Sequence, residues 1–120
     1  MKQVDLYLGA HMHQYERIAP YYKGNFTIGS RGPYYKGQMP SIVEGVAGCD
    51  VGIIDEDYPV QNFSVAHTFN QTGYGVLMVS NLQNAPTGEY IHYITPSGSQ
   101  TILFDSVLIS ASKQKIKQEE

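Results

Sequence analysis

Two histidines one residue apart, His11 and His13, are the residues in this chain whose type and spacing could do chemistry. Imidazole is the commonest protein ligand for transition metals, and a His-x-His spacing suits one metal ion or two adjacent ones. Two metals roughly 3.5–4 Å apart form the arrangement that clamps both the attacking and the leaving oxygen in phosphoester hydrolysis. The apolar run Val4-Asp5-Leu6-Tyr7-Leu8 reads as a buried strand ending at Gly9, so the histidines fall just past a strand's end. If the extended backbone continues, its period of two aims His11 and His13 to the same side. The spacing by itself equally describes two histidines on a polar loop, bonded to water or backbone.

The flanking residues add to that spacing. The stretch Gly9-Ala10-His11-Met12-His13-Gln14-Tyr15-Glu16-Arg17, followed by Pro20, resembles the last metal-binding motif of the purple acid phosphatases, which are calcineurin-like metallophosphoesterases. Ala10 stands where many members carry glycine. Gly45-Val46-Ala47-Gly48-Cys49 resembles the Gly-x-Ala-Gly-Cys segment that follows the histidine motif in that family. Residues 73–81 and Phe104-Asp105-Ser106 resemble its closing strands.

The resemblance implies an acid phosphatase that hydrolyses phosphate monoesters with hydroxide held by a dinuclear centre, Fe(III) with Zn, Mn or Fe(II). By motif position His11 would bind the divalent ion and His13 the ferric ion. Tyr15, Glu16 and Arg17 become candidates for supporting the ligands, with Glu16 and Arg17 either a pair near the metals or an ion pair bracing the loop. The family's remaining ligands lie on earlier motifs, and this chain has no Gly-Asp-x-x-Tyr and no Gly-Asn-His. The expectation is therefore a C-terminal portion, residues 1–112 with a polar tail at 113–120, that is catalytically silent until the upstream part of the same protein completes the site. The implied architecture is α/β, two mixed sheets packed face to face and flanked by helices, to which this mainly β stretch contributes the last strands.

Composition narrows the classes. The 120 residues are 42% hydrophobic and 16% charged, which is globular. A formal net charge of −3 without a basic block outside the tail argues against nucleic acid as a partner. No run is long enough to span a bilayer, and residues 1–3 do not read as a signal peptide. A single cysteine, Cys49, excludes an internal disulfide and reads as a small buried residue. Three of the five asparagines, Asn25, Asn62 and Asn70, lie in Asn-x-Ser/Thr sequons, which points to a secreted, lumenal or lysosomal glycoprotein.

The remaining pattern is that of strands and turns. Pro20-Tyr21-Tyr22-Lys23-Gly24 and Pro33-Tyr34-Tyr35-Lys36-Gly37 read as two similar turns, their tyrosines either contacting substrate or covering a core edge. Residues 41–46 form a short strand, and Gly45, Gly48 and Gly52 suit a tight turn packed under the metal loop. Asp55-Glu56-Asp57 reads as a solvated turn, and His67 as a surface residue. Strands at 74–80, 89–95 and 101–109 form an antiparallel meander, with His92 on the face of Tyr90 and Ile94 as a structural residue. Besides the phosphatase, three readings fit: a related phosphodiesterase or nucleotidase, a non-catalytic secreted glycoprotein module with a degenerate metal site, and a mononuclear zinc site built on His11 and His13.

Overall fold

The computed structural model describes residues 4–46, 60–69, 71–82, 85–96 and 100–113. Gly48, Cys49, Gly52, the acidic cluster at 55–57, Asn70 and the tail beyond Lys113 lie outside the described residues. The described chain is mainly β, with nine strands and no helix.

Four strands make a mixed sheet in the order β1-β5-β2-β6: β1 (Tyr7–Gly9), β5 (Ser41–Glu44), β2 (Gln14–Ile18) and β6 (Ser64–Phe69). β1 runs parallel to β5, while β2 is antiparallel to both of its neighbours. The expected buried strand at 4–8 is corrected here. Only Tyr7–Gly9 is strand, and Val4, Tyr7 and Leu8 are exposed, because β1 is an edge strand with a partner on one side only. The central position belongs instead to β2, which begins directly after the histidines.

Residues 20–27 form a small hairpin of β3 (Tyr21–Tyr22) and β4 (Asn25–Phe26). Its two turn residues, Lys23 and Gly24, both have positive φ, the conformation whose twist matches a two-residue hairpin. The second Tyr-Tyr-Lys-Gly repeat makes a different turn. The amide of Gln38 donates to the carbonyl of Tyr35, and of the two central residues only Gly37 has positive φ. The tyrosines also divide: Tyr21 and Tyr22 are exposed, Tyr35 is half-buried, and Tyr34 is fully buried in the core.

The meander is an antiparallel sheet of β7 (Gly73–Leu82), β8 (Ala85–Ile94) and β9 (Ile102–Ser110). Strand pairing continues past the expected strand ends at 80 and 89, through residues 81–82 and 85–88. Pro86 is compatible with this because β9 reaches only as far as Thr87, so Pro86 sits where the ladder has one side. The core lies between the mixed sheet and the meander, where Tyr15 and Ile42 meet Tyr90, Val107 and Ile109. Tyr34 joins them and is stitched to β9: its amide donates to Leu108, and the Ser110 amide donates back to its carbonyl.

Candidate metal-ligand loop

The two histidines occupy the connection from β1 to β2, at the carboxyl end of β1. Residues 11–13 are bent, not extended, and His11 has φ of +87°. The alternation of an extended strand therefore gives no reason for the two rings to share a direction, and that part of the sequence argument is corrected. What the structure does bring together is two exposed imidazoles on one three-residue bend.

The bend is fixed by backbone rather than by side-chain bonds. The Gln14 amide donates to the Met12 carbonyl at 2.8 Å, and the Gly45 amide donates to the Gln14 carbonyl at 2.9 Å. Gly45 lies so close that a Cβ on it would stand 1.7 Å from the Met12 oxygen. Only glycine allows that approach. The expectation of a glycine packed under the histidine loop is thus met at Gly45.

Behind the loop, β2 sends Tyr15 and Arg17 into the core, and both find Asp105 on β9. The Tyr15 hydroxyl donates to Asp105 Oδ2 at 2.6 Å, while Arg17 donates from Nε to Oδ2 at 2.8 Å and from Nη2 to Oδ1 at 3.0 Å. This two-pronged geometry matches a planar guanidinium to a carboxylate. Arg17 Nη1 also donates to the Arg31 carbonyl and to the Tyr34 hydroxyl, which itself donates to the Ser30 carbonyl. Burial pushes the Asp105 carboxyl up, but the hydrogen bonds from Arg17 and Tyr15 and the charge of Arg17 outweigh it and hold it below the usual carboxylate range. Burial, with the Asp105 bond second, pushes the Tyr15 hydroxyl far above its ordinary value.

Arg17 is therefore an anchor between sheets. Glu16 alternates to the other face of β2, opposite Val43 on β5 and His67 on β6, so the proposed Glu16–Arg17 pair does not form. Tyr15 is likewise buried, 0% exposed, and turned to Asp105.

A second buried group lies beside the first. The His92 ring stacks on Tyr15 with centroids 3.9 Å apart and planes 9° from parallel. Its Nδ1 lies 2.6 Å from Oε1 of Glu44, which also accepts from the Tyr90 hydroxyl at 2.9 Å. His92 is fully buried, in keeping with the structural role expected from its face. Glu44 escapes the sequence reading, because nothing local distinguishes a strand-end glutamate, and its partner is 48 residues away. Burial, followed by the charge and hydrogen bond of Glu44, raises the Tyr90 hydroxyl well above its usual value.

Among the described residues, no three His, Cys, Asp or Glu side chains gather where they could hold a metal ion. His67 is exposed on β6 and His92 is enclosed with Glu44 and Tyr15, so neither supplies a third ligand to the loop of His11 and His13. No helix among the described residues is long and apolar enough to cross a membrane. Compared with protein-family models, curated proteins and solved structures, the chain matches none of them.

Proposed function

We propose that this chain is the C-terminal part of a metal-dependent phosphoric monoester hydrolase of the purple acid phosphatase kind. In this reading His11 and His13 hold metal, and the other ligands come from the upstream part of the same protein. One observation carries the reading: two exposed imidazoles share a short bend at the carboxyl end of a parallel strand, and backbone hydrogen bonds and the close approach of Gly45 hold that bend. Loops held this way on rigid strands are where ligand-bearing residues concentrate. The strands β1, β5, β2 and β6 would then be the last strands of one sheet in a two-sheet α/β sandwich flanked by helices.

The donor set fits such a centre in part. Neutral imidazole nitrogens suit zinc and iron, and two donors leave a tetrahedral or octahedral ion open to further protein ligands. When bound, a metal pair supplies Lewis acidity toward the phosphoryl group and lowers the pKa of water. The chain's own residues hold and orient. His11 and His13 offer nitrogen donors from a loop against which Gly45 packs closely and which leads at Gln14 directly into β2. Tyr15 and Arg17 tie that strand to β9.

The test is hydrolysis of p-nitrophenyl phosphate. The 120-residue chain alone is expected to be inactive, and the longer protein active with iron and zinc. In the longer protein, His11→Ala and His13→Ala should each cut kcat by at least about 100-fold, the loss that follows when metal affinity or orientation is disturbed. Full activity in the His11→Ala/His13→Ala double variant would refute the assignment. Metal binding by the longer protein without turnover would favour the non-catalytic glycoprotein instead.

A further inference from the structure

The hairpin of β3 and β4 has two unlike faces. Tyr21 pairs with Phe26 across one face, their ring centroids 5.1 Å apart, and Phe26 stacks in turn on Phe63 at 4.3 Å and 17°. That face is seated on the body of the protein. The other face carries the pair Tyr22 and Asn25, and it is open: Tyr22 is 66% exposed and Asn25 is exposed as well. Asn25 begins the sequon Asn25-Phe26-Thr27, and Thr27 is also exposed. Its backbone amide is held by the Pro20 carbonyl at 2.8 Å, which leaves its hydroxyl on the surface of a fixed turn.

The second described sequon is built differently. Asn62 lies exposed in a turn, but its partner hydroxyl, Ser64 Oγ, is buried at the start of β6 without a hydrogen bond. The hydroxyl two residues after the acceptor is part of what a glycosyl-transferring enzyme recognises. Once β6 has formed, Asn62 no longer presents it, while Asn25 does.

We propose that Asn25 is an N-glycosylation acceptor, selected over Asn62, and that the first sugar of its glycan packs on the Tyr22 ring. In the transfer, the Asn25 side-chain nitrogen forms a bond to the anomeric carbon of a lipid-diphosphate-linked oligosaccharide. The anomeric C–O bond breaks, the lipid diphosphate leaves with the electron pair, and the amide proton passes to a base of the transferase. Directly opposed residues of a hairpin have Cβ atoms roughly 4.5–5.5 Å apart on one face, so a sugar on Asn25 emerges beside the Tyr22 ring. Its C–H face is apolar and matches the ring. The Lys23 ammonium now lies 5.4 Å from that ring's centroid, a weak contact at an exposed site that a sugar displaces at small cost.

The experiment expresses the chain behind a secretion signal in mammalian cells and weighs it before and after removal of N-glycans. The wild type should carry a glycan, Asn25→Gln and Thr27→Ala should each lose one glycan's mass, and Asn62→Gln should lose none. Thr27→Ala keeps Asn25 in place, so the two variants together separate loss of the acceptor from damage to the hairpin. Tyr22→Ala should then lower the melting midpoint of glycosylated protein by several degrees more than that of unglycosylated protein made in bacteria. An unglycosylated wild type, retention of the full glycan mass in Asn25→Gln and Thr27→Ala, or loss of mass in Asn62→Gln overturns the acceptor assignment. An equal effect of Tyr22→Ala in both forms overturns the stacking. None of these outcomes depends on phosphatase activity.

Discussion

Replacing Arg17 by methionine keeps most of the side chain's length but leaves Asp105 buried beneath β2 without its cation. An unpaired buried charge of this kind costs about 3–5 kcal/mol, so Arg17→Met should lower the urea midpoint sharply. Arg17→Met combined with Asp105→Leu should recover a large part of that loss, since removing both charges removes the desolvation problem. A double variant no more stable than Arg17→Met alone would show that the pair is not the anchor described above. His11 calls for the opposite expectation. Its φ of +87° lies where side chains are strained and glycine is not. His11→Gly should therefore raise stability by about 1 kcal/mol while removing one of the two candidate ligands. A variant that is more stable and yet binds zinc less well would show that strain at this position serves the loop and not the fold.

At the level of the elements, Gly45 and Gly75 limit what the strands around the histidine loop can accept. A Cβ on Gly45 collides with the Met12 carbonyl, which is backbone and cannot swing away. Gly45→Ala should displace the end of β5 from the loop, cost about 2 kcal/mol or more, and weaken metal binding at His11 and His13 together. On β7, a Cβ at Gly75 would stand 1.9 Å from the Tyr90 hydroxyl and 2.3 Å from Glu44 Oε1. Gly75→Ala should thus disrupt the group that joins Tyr90 and His92 on the neighbouring strand β8 to Glu44 on the facing sheet, seen as loss of the His92 ring's stacked position on Tyr15 by NMR. These elements were unequally legible in the sequence. Turn residues bracket β5 and the meander, and their pattern suffices to find them. β2 is hidden because Gln14, Glu16 and Arg17 look like loop residues until Asp105 is known to receive the arginine. β6 shows no apolar–polar alternation, since Val65 and Ala66 are followed by His67 and Thr68, its ladder shifts register opposite Arg17 and Ile18, and its position beside β2 is a matter of pairing between distant segments. The histidines themselves are visible from spacing. Their bent backbone is not, because it depends on Gly45, which approaches from a separate strand.

For the whole molecule, the junction between the mixed sheet and the meander is held by groups that titrate at the two ends of the pH scale. Asp105 is more acidic in the folded chain than its ordinary value of 3.8. Its contribution is complete above that value and is lost as pH falls through the lower, folded one. The buried hydroxyls of Tyr15, Tyr34 and Tyr90 are all raised above 10.0, chiefly by burial. Above pH 10 the unfolded chain gives up these protons while the folded chain keeps them, so stability falls by about 1.4 kcal/mol per pH unit for each tyrosine until the folded groups ionise. Stability should therefore decline below about pH 4 as Asp105 is protonated, and decline more steeply above about pH 10. Tyr15→Phe removes one titrating group from the junction and also the hydroxyl that donates to Asp105. It should lower stability near pH 7 by about 1 kcal/mol, the worth of a hydrogen bond to a charged group less the gain from an easily buried ring. It should also make the alkaline limb shallower. Urea midpoints measured from pH 3 to pH 11.5 on both proteins test the two effects at once. An alkaline limb of equal slope in the wild type and Tyr15→Phe would mean that the Tyr15 hydroxyl is not held protonated at the junction between the sheets.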